Sequence, residues 1–338
     1  MTAINQPVGY DPLPFYQELA TAALEQFSLP ADVAIKLLNY SENVTYLVES
    51  EQDGTKQILR LNRPGYHTKK ELEAELIWIE SILESSSLEV AEPIAGKNGE
   101  YVQVIAPSQF KEPYHCVMFS FLSGQSPDET NEKGLSMEFE KLGEVTAQLH
   151  NQSQGWAGSQ SLARPTWDFE TMLGSNPTWG RWQDGVAVTP ARRKLFQAAA
   201  DKIEQRLRQF GQSKDRFGLI HADLRLANLL VEDGAIKIID FDDCGFSWYL
   251  YDLATALSFI EHKEYVPELI QAWLAGYKKI RSLSKEEEEM IPTFIMLRRL
   301  LLIGWVGSHI DNDTAQSLGA GFTEETVALA EKYLLHFK

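Results

Sequence analysis

Residues 219–242 read Leu-Ile-His-Ala-Asp-Leu-Arg-Leu-Ala-Asn-Leu-Leu-Val-Glu-Asp-Gly-Ala-Ile-Lys-Ile-Ile-Asp-Phe-Asp. The stretch sets His221, Asp223 and Asn228 in an H-x-D-x-x-x-x-N array, and Asp240 follows a second apolar run. A strand-like Phe-Gly-Leu-Ile run enters it. Residues 229–231, the turn Glu232-Asp233-Gly234 and residues 236–239 read as a short hairpin carrying Asp240 at its end. Adjacent strand ends would then bring two carboxylates and an amide to one point. Phosphoryl transfer from a nucleoside triphosphate needs that set: a carboxylate to orient the attacking hydroxyl and take its proton, and two oxygen ligands for Mg²⁺. The spacing predicts Asp223 as the catalytic carboxylate and Asn228 and Asp240 as metal ligands. The bland alternative is a pair of turn aspartates and a capping asparagine.

The array His221-Ala222-Asp223-Leu224-Arg225-Leu226-Ala227-Asn228, then Ile239-Asp240-Phe241-Asp242-Asp243 and Tyr251-Asp252-Leu253-Ala254, resembles the aminoglycoside phosphotransferase superfamily. That group shares the protein-kinase fold and includes choline kinases, type II homoserine kinases, hydroxylysine kinases and a bacterial stress-response Ser/Thr kinase. Where protein kinases have H-R-D and D-F-G, Ala222 and the Asp240-Phe241-Asp242 triplet match the small second residue and D-x-D of this superfamily. The resemblance runs from about residue 35 to 310 and is sharp only over 219–256. It implies an α+β, bilobal protein-kinase-like fold with a small antiparallel-sheet N-terminal lobe and a mainly helical C-terminal lobe. Residues 1–122 would form the ATP phosphate and adenine side. Residues 123–338 would carry the catalytic loop, metal and acceptor site. ATP and Mg²⁺ are the implied cofactors.

Length and composition fit without deciding. A chain of 338 residues can bury a substantial core, as one large unit or two closely packed ones. No run approaches the ~18–20 apolar residues of a membrane helix. The opening Met-Thr-Ala-Ile-Asn-Gln-Pro lacks the basic and apolar regions of a signal peptide. Cys116 and Cys244 are the only cysteines, which suits a reducing cytoplasm. A net charge of −17 argues against nucleic acid or an anionic membrane as partner, and mildly favours a cationic or zwitterionic acceptor. Oligomeric state is not readable.

The N-terminal third predicts a helix over 11–28 from the spacing of Leu13, Tyr16, Leu19 and Leu24, then strands over 33–38, 44–48 and 57–61. No G-x-G-x-x-G lies in the first hairpin. Ser41-Glu42-Asn43 there resembles the polar S-x-N loop of several small-molecule kinases, whose donors serve the ATP phosphates; a plain hairpin turn reads equally well. Arg60 stands where the superfamily usually has lysine, and Glu75, on a helix over 71–82, is its expected partner; Lys56 is the fallback. An arginine keeps the charge and can grip a carboxylate through two bonds. Residues 90–93 and 101–105 predict further strands, and the apolar strand 116–122 resembles the superfamily's hinge.

In the C-terminal part a helix over 136–150 closes with His150, read as a structural histidine more readily than a catalytic one. His221 braces the catalytic loop in the resembling kinases. Arg225 occupies the place of a lysine that touches the transferred phosphate in protein kinases, or else makes a plain salt bridge. Asp242 is a second metal contact or meets a cationic acceptor, and Asp252 bonds the catalytic-loop backbone by resemblance. Trp156, Trp167, Trp179 and Trp182 crowd a loop-rich insert, where they could cage a quaternary ammonium or build a satellite core. A helix over 191–210 follows. The sequence Ser284-Lys285-Glu286-Glu287 is a capping box. Arg298, Arg299, Trp305 and His309, at roughly helical spacing, are candidates to grip an acceptor carboxylate.

No long activation segment or A-P-E anchor follows Asp240, which favours a small-molecule hydroxyl acceptor: an amino alcohol, amino acid, sugar or aminoglycoside. The alternatives are a Ser/Thr protein kinase of the stress-response type and a nucleotide-binding pseudokinase.

Overall fold

The computed structural model describes residues 12–41, 43–106, 113–128, 130–310 and 312–338. They fall into two compact units, one of residues up to Glu84 with Val90–Leu122, the other of Ser85–Glu89 with Ser123–Lys338. Glu42 of the predicted phosphate loop and residues 1–11 lie outside the described set.

The first unit opens with α1 (Leu13–Leu24) and the strands β1 (Val33–Tyr40), β2 (Asn43–Ser50) and β3 (Lys56–Asn62), followed by α2 (Lys69–Ser85). After the two-residue β4 (Glu89–Val90) come β5 (Pro93–Ile94), β6 (Gln103–Ile105) and β7 (Tyr114–Ser120). The sheet is antiparallel in the order β1-β2-β3-β7-β5, with β6 also on β7. Alternation along β2 turns Val44, Tyr46 and Val48 inward, against Tyr16, Leu19 and Ala23 of α1 and Leu59 and Leu61 of β3. Because side chains alternate along a strand, Arg60 emerges on the opposite face from Leu59 and Leu61. The single strand predicted over 90–93 is instead split into β4 and β5, and Tyr101 lies in a bend before β6. Pro93, which has no N–H to donate, starts the second piece.

The second unit contains α3 (Glu132–Gly155), α4 (Phe169–Leu173), α5 (Pro190–Phe210), β8 (Phe217–Ile220), β9 (Leu229–Glu232), β10 (Ala235–Ile238) and β11 (Gly245–Trp248). Then come α6 (Tyr251–Ala256), α7 (Val266–Ile280), α8 (Lys285–Ser308) and α9 (Asp313–His336). The predicted capping box at Ser284 is formed, with Ser284 Oγ accepting from Glu287 N and Glu287 returning to Ser284 N. Contrary to the sequence reading, α8 is long and apolar enough to cross a membrane, with a mean hydropathy of 1.5 over its best window. Yet 83% of that window is buried within the protein, so α8 is a core helix.

Helices α3 and α7 touch through glycines. A Cβ at Gly276 would stand 1.8 Å from the Glu140 carbonyl oxygen, and one at Gly143 would stand 2.0 Å from that of Trp273. The close approach puts His150 of α3 beside Tyr277 of α7. Ala is the better helix former by about 1 kcal/mol, so Gly276→Ala would stabilise an isolated helix. In the protein we expect it to destabilise by about 1–3 kcal/mol or more, read as a lower urea midpoint. An unchanged midpoint would show that the helices need no such contact.

Candidate active site

The hairpin β9–β10 closes through Asp233 (φ 51°) and Gly234 (φ 79°), a two-residue turn of the Asp-Gly kind. Its return strand leads to Asp240, whose backbone is left-handed at φ 63°, ψ 67°. Aspartate tolerates that region better than most residues, and the turn leaves Asp240 exposed. On the other side β8 pairs with β11, Ile220 opposite Gly245, and releases the chain into the loop that begins at His221. Ala222 is also left-handed, at φ 65°, and buried.

The fully buried carboxylate of Asp252, on α6, holds this loop. Its Oδ1 accepts from Ala222 N at 2.8 Å and its Oδ2 from His221 N at 3.3 Å. Oδ2 also lies 3.0 Å from His150 Nε2, while His150 Nδ1 meets the Tyr277 hydroxyl at 2.9 Å. This network assigns the proton to Nε2 of His150. Burial pushes the His150 imidazole below its ordinary value, more than Asp252 raises it, and burial also holds the Tyr277 phenol far above the usual range. His150 is thus a neutral, structural group. His221 Nδ1 accepts from Asp223 N at 3.2 Å, so that its Nε2 donates to Ile239 O at 3.1 Å, tying the loop to the residue before Asp240.

Asp223 is 8% exposed and densely bonded. Oδ2 accepts from Asn228 Nδ2 at 2.8 Å and Arg225 Nε at 3.1 Å, and Oδ1 from Arg298 Nη2 at 2.5 Å. Asn228 Nδ2 also reaches Asp223 O at 2.9 Å, so both its bonds through nitrogen go to Asp223. Burial works against the charge of Arg225, but the Asp223 and Asp240 carboxylates outweigh it and raise the guanidinium above its ordinary value. Asp242 is buried, and its carbonyl accepts from Arg164 Nη2, while Arg164 Nε holds Cys244 O at 2.7 Å. Trp167 Nε1 donates to Asp243 O at 2.8 Å.

The insert therefore braces the Asp240–Asp243 segment from behind. Trp167, Trp179 and Trp182 are buried, with the first two rings 5.1 Å apart. They form a satellite core and no open cage. Nor do Arg299, Trp305 and His309 present an acceptor grip. Arg299 is buried in bonds to Glu261, Thr326 and the Phe322 carbonyl, and the His309 ring stacks on Trp305. Only Arg298 reaches the site, and it binds Asp223 itself. Sequence reasoning missed that pairing, which spans 75 residues; its one signal was an arginine inside an apolar helix.

In the first unit Arg60 and Glu75 meet as expected. Nη1 and Nη2 donate to Oε1 and Oε2 at 2.9 and 2.6 Å, with both side chains buried. Lys56, the fallback, pairs at the surface with Glu49 at 3.3 Å and makes no contact with Glu75. Ser41 N donates to Asn43 O at 2.9 Å and Asn62 Nδ2 to Asn43 Oδ1 at 3.1 Å, on either side of Glu42.

The sequence model of the phosphotransferase enzyme family matches residues 35–286. The chain belongs to that family. It is a kinase that transfers phosphate to a hydroxyl group. A solved structure of a microcompartment-associated aminopropanol kinase is 40% identical, covers 95% of this chain and 98% of its own, and superposes with a TM-score of 0.86. Amicoumacin kinase of Bacillus subtilis (strain 168) is 26% identical over 311 residues, 89% of this chain and 88% of the relative. A spectinomycin phosphotransferase, at 17% identity over 94% of this chain and 98% of its own and a TM-score of 0.65, shares the fold. These relatives favour a small-molecule kinase over a protein kinase or a pseudokinase.

Because the folded protein disfavours protonated His150, the unfolded chain binds more protons below the ordinary histidine value of 6.5. Stability contributed by this group is complete above pH 6.5 and is lost as pH falls further. Urea unfolding between pH 8 and 5.5 should show that decline for the native chain and a flatter one for His150→Gln; parallel curves would contradict the assignment.

Proposed function

We propose that the chain phosphorylates the hydroxyl of a small amino alcohol, of the aminopropanol kind, with ATP as donor. The observation that carries this reading is the 40% identity to an aminopropanol kinase along nearly the whole of both chains. The site residues are compatible with it: Asp240, Asp242 and Asp243 share one short segment, Asp223 and Asp240 both act on the Arg225 guanidinium, and this acidic set suits a metal ion and an ammonium-bearing acceptor together.

Residues 123–338 carry the transfer in this reading. The acceptor oxygen bonds to Pγ as the bond from Pγ to the β,γ-bridging oxygen breaks. ADP leaves with the electron pair, and the hydroxyl proton goes to the Asp223 carboxylate. Asp223 aligns the hydroxyl, and Arg225, 32% exposed in its side chain, lies close enough to Asp223 and Asp240 to meet negative charge on the transferred group. Residues 1–122 form the nucleotide side. There Arg60, fixed by Glu75, takes the place of a phosphate-gripping lysine, and Ser41 and Asn43 supply polar groups to the phosphates.

The donor set fits Mg²⁺. Among the described residues no three acidic, histidine or cysteine side chains converge as a protein-only cage. Mg²⁺ in kinases instead takes one or two protein carboxylates and completes its shell with water and phosphate oxygens. Asp240 offers an exposed carboxylate, and Asn228, with its nitrogen committed to Asp223, offers its amide oxygen; Asp242 would add a second carboxylate. Bound there, the metal would neutralise phosphate charge.

Incubation with terminally labelled ATP and a panel of amino alcohols, hydroxy amino acids, sugars and aminoglycosides tests this. Label should pass to an amino alcohol, and Asp223→Ala should lower kcat by about 10²–10⁴-fold. Transfer to another class alone would replace the acceptor assignment. Arg60→Met should raise KM for ATP while leaving KM for the acceptor nearly unchanged; an unaltered KM for ATP would remove Arg60 from the nucleotide side.

A further inference from the structure

We propose that Arg298, from the middle of α8, is a positioning residue for phosphoryl transfer: it fixes Asp223 so that a single lone pair, on Oδ1, is left to receive the acceptor hydroxyl. The proposal rests on the kinase reading above and assigns a role that the sequence motif does not contain.

An ionised carboxylate offers about four lone-pair sites. Oδ2 of Asp223 already accepts two N–H groups, from Asn228 and Arg225, and Oδ1 accepts one, from Arg298. One site remains, and the side chain keeps 11% of its surface exposed. A hydroxyl that donates to Asp223 must use that place. Its proton then moves along the same line to Oδ1 as the oxygen bonds to Pγ and ADP departs with the electron pair of the broken bond. Without Arg298, Asn228 and Arg225 would still hold Oδ2, but Oδ1 would have two open sites and the hydroxyl could donate from either direction.

Arg298 is built to hold and not to reach. It is 2% exposed, flanked on α8 by the buried Leu297, Leu300 and Leu301. Its Nε donates to Ser258 Oγ at 3.0 Å, and its guanidinium lies 5.1 Å from the Trp179 ring centroid. Those contacts fix the fork from two further sides, and the Tyr251 hydroxyl and the Asp243 carboxylate also act on it, while Asp223 is the group of the site that it bonds. Core packing alone would be met by a leucine or methionine, because a buried ion pair is no better for stability than a well-packed hydrophobe. Arg225 differs: it sits two residues from Asp223 with its side chain partly exposed, where the transferred group can reach it.

The test is a pair of double-mutant cycles between Arg298→Met and Asp223→Asn, with Arg298→Lys as the conservative variant. With ATP, Mg²⁺ and 1-amino-2-propanol, Arg298→Met should lower kcat by about 10²-fold and leave KM for ATP unchanged. Arg298→Lys should recover part of the loss. In the Asp223→Asn background the same change should cost less than about twofold. An equal loss in both backgrounds, or an effect confined to KM for ATP, would overturn the proposal. The second cycle reads urea unfolding and needs no acceptor: the two sites should be coupled by about tenfold in the unfolding constant. If the native chain phosphorylates no amino alcohol, the acceptor assignment fails separately. The stability cycle then decides, with coupling supporting the contact and additivity overturning it.

Discussion

The buried carboxylate of Asp252 is the constraint on which the second unit's chemistry depends. A charge with no water around it must be matched by donors, and here they come from the His221 and Ala222 amides and the His150 ring. Those bonds hold Ala222 in a left-handed conformation that costs of order 1–3 kcal/mol. The strained residue turns the chain sharply after β8, and Asp223 follows directly. Behind Asp252, His150 is locked by Tyr277, and that contact exists because Gly143 and Gly276 let two helices approach closely. A glycine pair at the α3–α7 contact thus bears on the orientation of a loop.

From that anchor the remaining groups are hung in order. His221 links the loop to the end of β10, which sets the separation of Asp223 and Asp240. Arg164 and Trp167 hold the carbonyls of residues 242–244 from the insert. The first unit solves its own problem independently. Its arginine in place of lysine is accommodated by a paired, buried carboxylate, since the guanidinium fork matches both oxygens of Glu75.

Much of this was legible in the sequence, for identifiable reasons. The Asp233-Gly234 turn between short apolar runs fixes the hairpin, and the array from His221 to Asp240, with its resemblance to a known family, points to the family that the sequence comparison found. Arg60 and Glu75 follow from a strand and a helix whose periods are clear. What escaped the sequence depends on contacts between distant segments. Nothing local to Arg298 or Arg164 tells which carboxylate or carbonyl each meets, and four tryptophans cannot be sorted into cage or core before their burial is known. The apolar α8 illustrates the converse. Its two arginines fall within a run of hydrophobes, so the helix is read correctly only once Asp223 and Glu261 are seen to neutralise them.

In this reading a hydroxyl, aligned by Asp223, receives the phosphate. Phosphorus-31 NMR of the product formed from ATP, Mg²⁺ and 1-amino-2-propanol tests it most directly, because this acceptor offers both a hydroxyl and an amine. A phosphomonoester resonance split by the carbinol proton is expected. A phosphoramidate, or inorganic phosphate alone, would contradict it.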